Sequence, residues 1–308
     1  APLAGVLLNE DPEVKSVVRI TPEYSKVVFS HGEKMTEVNK VYYADSTMFS
    51  IFGYKLLAGD PKTALREVDA VALTRTTAEK YFGPMEAWKE SPIGKLIVMN
   101  SRLTLRVTAI MEDLPVNTHF RPNALISFRT FIKLDDPTKE WGWNDFYTYV
   151  ELASGTDYRK FESSIQSIIK KHKAEKDWTD RYVLQPLTDI HLHSNVGFEL
   201  DANGSAETVY FLSIIAVIIL VVAWVNYINL ATARAGQRAK EIGVRKVNGA
   251  TRLEVMKQFL LESFFVNFIA LMFALGIVST LMPLIGHLLG KPLSFDLFSD
   301  KFFLLAAI

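Results

Sequence analysis

Cysteine is missing from the sequence, which excludes disulfides and thiolate metal ligands and leaves the compartment open. Net charge is missing too. The 34 Lys and Arg balance 34 Asp and Glu, so composition makes no case for a nucleic-acid partner. No Walker-type phosphate loop occurs. The nearest match, "SPIGK" at Ser91–Lys95, has Lys89 where the first glycine belongs and no Ser or Thr after Lys95. A G-x-S-x-G elbow and an H-E-x-x-H pair are also wanting. The expectation is a chain that hydrolyses no ATP, needs no cofactor, and leaves any nucleotide chemistry to a separate subunit or domain.

The most informative absence is local. Residues 208–233, "TVYFLSIIAVIILVVAWVNYINLATA", hold no Asp, Glu, Lys or Arg, and neither do residues 263–290. As a helix the first run is roughly 39 Å long, against roughly 30 Å of hydrocarbon in a bilayer. Both runs read as membrane spans (about 208–233 and 263–288), and "FFLLAAI" from Phe302 as the start of a truncated third. The sequence starts at Ala1 and stops inside an apolar run, so it reads as a fragment with an upstream span left out. Neither run carries the internal carboxylate or basic residue that marks an ion-coupled transporter. Asn226 and Asn229 share a face near one end of the first run and suit contact with another helix.

Between the runs lies a charged stretch, 234–262. From Arg234 to Lys257 it carries seven Lys or Arg against two Asp or Glu. Basic residues beside span ends mark the cytoplasmic face, which puts 234–262 inside and 1–207 outside. Asn248-Gly249 is a helix stop, and Thr251 with Glu254 makes a T-x-x-E capping box that starts a new helix. Leu253, Met256, Phe259 and Leu260 form its apolar stripe. On physics alone, an interfacial helix held by lipid headgroups and a handle for a partner protein are equally good readings.

"RAKEIGVRKVNGATRLEVMKQFLLES" resembles the signature of MacB/FtsX-type ABC transporter permeases. In that family the cytoplasmic segment reads E-I-G-V-R-K-A-x-G-A followed by Q-F-L-x-E. The matching residues are Glu241, Ile242, Gly243, Val244, Arg245, Lys246, Gly249, Ala250, Gln258, Phe259, Leu260 and Glu262, with Asn248 departing at the turn. The resemblance implies that Glu241 to Ala250 dock a cytoplasmic ABC ATPase. It also implies a second permease unit, as a dimer or an internal repeat, a periplasmic adaptor, and the inner membrane as the location.

The first 207 residues mix both element types, giving an α+β extracytoplasmic domain joined to an all-α transmembrane helical domain. "SVVRI", "KVVFS", "EVNKVYYA", "DAVAL", "KLIVM" and "LTLRVTAIM" read as strands. "STMFSIFG", "TRTTAEKYFG" and residues 157–176 read as helices, and 116–180 reads as a candidate inserted subdomain. "VYYADSTMFSIFGYKLLAGDPKTAL" and "VTAIMEDLPVNTHF" are similar to the extracytoplasmic core domain of the same permeases. Three other signals compete. His191 and His193 would share a face of a strand and suit a metal. "WGWNDFYTYV", Trp141–Val150, would line a hydrophobic groove or build core. His119, with these two histidines, would serve an anchored external enzyme. The functional expectation is a permease subunit that transmits ATP-driven motion outward to export or extract a drug, peptide or lipoprotein. The alternative is a signalling scaffold that activates an external partner without transport.

Overall fold

The computed structural model describes residues 2–115, 118–134, 136, 141, 145–172, 181–194, 196–201 and 203–289. The chain divides into two compact units, one up to Tyr210 and one from Phe211.

The first unit is built on a mixed ten-stranded sheet. Its strands are β1 (Val14–Pro22), β2 (Val28–His31), β3 (Lys34–Glu37), β4 (Val41–Ala44), β5 (Leu56–Ala58), β6 (Ala70–Thr74), β7 (Leu96–Met99), β8 (Leu103–Met111), β9 (Ala124–Ser127) and β10 (Tyr147–Leu152). They lie in the order β10-β1-β4-β9-β6-β8-β7-β2-β3, with β5 alongside β8. The β4–β9 and β6–β8 pairs are parallel, the rest antiparallel.

The three central strands β4, β9 and β6 are buried at every residue, as strands covered on both faces must be. Alternation divides their side chains between two cores. Val41, Tyr43, Val71, Leu73 and Ile126 face one side, under α3 (Arg75–Phe82) and α4 (Phe128–Leu134). Tyr42, Ala44, Ala72 and Leu125 face the other, under α2 (Met48–Phe52) and Phe120. A third cluster joins α1 (Leu3–Glu10) and α5 (Tyr158–His172) to β1 through Leu7, Val17, Phe161 and Ile165.

Several segments depart from expectation. "EVNKVYYA" is not one strand, because Lys40 adopts φ 57° and breaks the chain between β3 and β4. Residues 124–127 and 147–152 fall within the stretch read as an inserted subdomain, yet they are strands of the main sheet. β9 sits between β4 and β6, and β10 pairs with β1. The end of the helix at 157–176, Trp143, and the expected third span from 302 lie outside the described residues.

Two long helices make up the described part of the second unit: α7 (Ala206–Val247), whose first five residues belong to the first unit, and α8 (Arg252–Leu289). Both are long and apolar enough to cross a membrane. At 42 residues α7 is roughly 63 Å long, twice the hydrocarbon thickness, so the first run and residues 234–247 of the charged stretch share one helix.

Candidate functional site

The corner between α7 and α8 is made by two interlocking caps. Gly249 takes φ +93°, the left-handed region that glycine enters without a Cβ penalty. Its N–H donates to the Lys246 carbonyl at 3.1 Å, and the Ala250 N–H donates to the Arg245 carbonyl at 3.0 Å. That pair of bonds is a Schellman motif, and it satisfies carbonyls the helix end would leave open. One residue later the capping box forms as expected. The Thr251 N–H donates to Glu254 Oε2 at 2.9 Å and the Glu254 N–H to Thr251 Oγ1 at 3.4 Å. The two helices are therefore joined without a flexible linker.

Side chains then cross the corner. Arg245 donates from Nη2 to Glu241 Oε1 at 2.6 Å, one turn back on its own helix, and from Nη1 to Gln258 Oε1 on α8. The Arg238 guanidinium stands 5.4 Å from the centre of the Phe259 ring, a second α7–α8 contact of cation–π type. Of the expected docking residues, Arg245 and Ala250 are half-buried, as is Ile242. Glu241, Gly243, Val244, Lys246 and Gly249 are exposed. The apolar stripe divides differently from the expectation. Val255 faces inward at 9% exposure with Phe259 half-buried beside it, whereas Leu253, Met256 and Leu260 are exposed. Sequence reasoning did not find Val255, which occupies the N4 position where a capped helix tucks an apolar side chain back on its start. It matched Gln258 and Phe259 to the motif without seeing that they are the receiving groups for Arg245 and Arg238.

The competing sites fare differently. His191 and His193 lie on a helix, α6 (Leu187–His193), not a strand, so two residues' spacing turns them roughly 200° apart instead of onto one face. Among the described residues no three His, Cys, Asp or Glu side chains gather as a metal set would. His119 is half-buried with Nε2 2.7 Å from the Tyr149 hydroxyl, and burial pushes its pKa below the ordinary 6.5. "SPIGK" is a turn leading into β7, with Gly94 at φ +87°.

Residues 196–201, which lead towards α7, are fastened to the sheet. The Tyr42 hydroxyl donates to the Leu200 carbonyl at 3.0 Å and the Tyr147 hydroxyl to the Phe198 carbonyl at 2.9 Å. Asp201 takes Lys40 at 2.5 Å and Arg121 at 3.7 Å.

A mixed sheet unit followed by two capped, membrane-length helices matches two family descriptions in the same order. Residues 2–168 match the MacB-like periplasmic core domain and residues 213–308 the FtsX-like permease C-terminal region. The chain belongs to the MacB/FtsX family of ABC transporter permeases. The macrolide export ATP-binding/permease protein MacB of Salmonella paratyphi A is 24% identical over 269 residues, 85% of this chain and 38% of that protein. MacB of Burkholderia thailandensis is 24% identical over 292 residues, 91% of this chain and 39% of that protein. The chain thus spans about two-fifths of the length of these curated relatives. The crystal structure of the periplasmic region of MacB from Actinobacillus actinomycetemcomitans superposes with a TM-score of 0.40 at 18% identity, covering 55% of this chain and 72% of that one.

Proposed function

We propose that the corner between α7 and α8 is the handle by which a cytoplasmic ABC ATPase moves this permease, with Glu241 to Ala250 as the docking surface. The observation that carries the reading is Arg245. It is bonded to Glu241 on one helix and Gln258 on the next, across a turn whose backbone is already fixed by two caps. A push on such a corner moves both helices together instead of being absorbed by a loose loop. The exposed Leu253, Met256 and Leu260 offer a partner apolar contact, and Lys246 and Glu241 offer charge.

In this reading 234–262 faces the cytoplasm and 1–207 is extracytoplasmic, in the inner membrane of a bacterium. The spans are bathed in membrane lipid, and a second permease unit completes the pair that a two-site ATPase would clamp. Motion travels along α7, which runs without a break from Ala206 to Val247. It reaches the outer unit through residues 196–201, held to the sheet by Tyr42, Tyr147 and Asp201. The relatives are named for export joined to ATP binding, which favours export or extraction of a substrate, with a periplasmic adaptor, over a signalling scaffold.

The test is coupling. In membranes holding the chain with its ATPase, Glu241→Ala or Arg245→Ala should leave the chain folded and inserted. Nucleotide-dependent change in the outer unit, read by amide exchange, should be lost while basal ATP hydrolysis continues. Wild-type coupling in both variants would reject the assignment.

A further inference from the structure

β10 is one end of the sheet, and among the described residues no strand pairs with its outer edge. Three hydrogen bonds made by the neighbouring strand, β1, fix which way its backbone points. The Arg19 N–H donates to Asp45 Oδ2 at 2.9 Å, the Arg19 carbonyl accepts from the Asp45 N–H at 3.2 Å, and the Val17 carbonyl accepts from Thr47 Oγ1 at 2.5 Å. At Val17 and Arg19 the main chain of β1 therefore faces away from β10. Their register partners, Val150 and Thr148, are the non-hydrogen-bonded pairs of the antiparallel ladder. In such a pair the N–H and C=O of the end strand point to the outer edge. Leu152, two residues on, follows the same period. At the other end of the pattern, the Ala153 N–H donates inward to the Glu13 carbonyl at 2.8 Å, which agrees with this alternation.

Thr148, Val150 and Leu152 all line one cleft of about 440 Å³, walled by Phe52, Leu184 and Phe198 among others. Three donors and three acceptors thus face a mostly apolar trough over roughly 14 Å. Among the described residues no loop, turn or side chain bonds to any of these six groups. The opposite end of the sheet is different: β3 is short and polar, with Lys34 and Glu37 exposed, which is how edges are ordinarily blunted. β10 has neither Lys nor Pro and one exposed charge, Glu151, and its rim carries large exposed apolar side chains, with Phe198 81% exposed and Val183 66%.

We infer that this cleft takes up an extended polypeptide segment of another protein, apolar at alternate positions, which adds to the sheet as an eleventh strand beside β10. The row of amide groups selects the occupant. An acyl chain or a flat drug filling the trough would bury three N–H and three C=O groups without partners, whereas an antiparallel strand bonds all six. Alternate side chains of the guest would lie against Phe52 and Leu184. The inference does not depend on which way the α7–α8 corner faces or on what moves it.

The experiment uses the full chain in detergent micelles and a fluorescein-labelled peptide, Lys-Thr-Val-Thr-Val-Thr-Lys. Saturable binding by anisotropy, with slowed amide exchange at 148, 150 and 152, is the expected result. The same peptide N-methylated at both valines, which leaves the protein untouched, should bind about tenfold or more weaker through loss of two hydrogen bonds. Val150→Pro removes one outward N–H while sparing the bonds to β1, and should weaken binding about three- to tenfold. Failure of the unmodified peptide to bind, or equal binding of the N-methylated one, would overturn the inference. So would protection of these amides that grows with protein concentration without peptide, since that would mean two copies pair their own edges.

Discussion

Individual residues hold the outer unit where backbone and side chain have no slack. Gly59 is the plainest case. It lies beside the irregular β5–β8 pairing at φ +96°, and a Cβ there would stand 2.5 Å from the Thr108 carbonyl oxygen and 2.9 Å from the Ala109 Cα. Both obstacles are main chain in the buried strand β8, so neither can turn aside. Gly59→Ala should destabilise the unit by more than about 2 kcal/mol, summing positive-φ strain and the clash; thermal unfolding of the purified chain measures it. The Asp45 carboxylate, by contrast, is fixed through bonds: both oxygens take Arg19 at 2.9 Å, and the guanidinium lies 4.2 Å from the Phe128 ring centre. His119 supplies a pH signal. Burial is the main cause of its lowered pKa and His191 adds to it, while Glu199 and Asp201 pull the other way. Between its folded pKa and 6.5, the unfolded chain holds a proton that the folded chain refuses. Stability should therefore rise with pH across that window and level off above it. His119→Gln, which keeps a partner for the Tyr149 hydroxyl, should flatten the rise; an unchanged slope would assign it to other groups.

Secondary elements were legible in the sequence where pattern and punctuation agreed. β1, β6, β7 and β8 are β-branched or apolar runs between turn residues, and α5 shows Phe161, Ile165, Ile168 and Ile169 at helical spacing, all buried. The corner of α7 and α8 was legible for a different reason: Gly249 and the Thr251–Glu254 box are local chemistry that no tertiary contact has to complete. β9 was not legible. Its four residues are buried on both faces, so they show no alternation, and they pass straight into α4 with no turn residue between. α6 misled through "HLH", whose alternation looks like strand when only three residues are weighed. The bonds that fasten 196–201 were out of reach altogether, since Tyr42 and Leu200 are 158 positions apart. Those bonds carry a prediction at this scale. Tyr42→Phe removes the donor to Leu200 while keeping the buried ring, and Lys40→Ala removes an ion pair to Asp201. Together they should leave the sheet intact and speed amide exchange at 196–201 by about tenfold or more, in line with about 1 kcal/mol per lost bond. If coupling travels along α7, the same pair should also blunt the outer unit's response to nucleotide.

For the whole molecule the decisive quantity is the side of the membrane on which the corner lies. Seven basic and two acidic residues between Arg234 and Lys257 flank two helices otherwise long and apolar enough to span. Moving that many cations outward runs against the bias that sets orientation, which acts on short loops close to span ends, the situation here. The absence of cysteine from these 308 residues makes the question answerable residue by residue, because one introduced thiol is the only one among them. Val247 at the end of α7 is 88% exposed and Tyr24 in the outer unit 70% exposed, so a thiol at either place should be reachable without disturbing packing. In intact cells a membrane-impermeant maleimide should label Tyr24→Cys and leave Val247→Cys unmodified, and permeabilising the inner membrane should expose the second. Labelling of Val247→Cys from outside would put the corner beyond the reach of any cytoplasmic ATPase. The handle would then have to be given up, while the family, the caps and the open edge of β10 would stand unchanged.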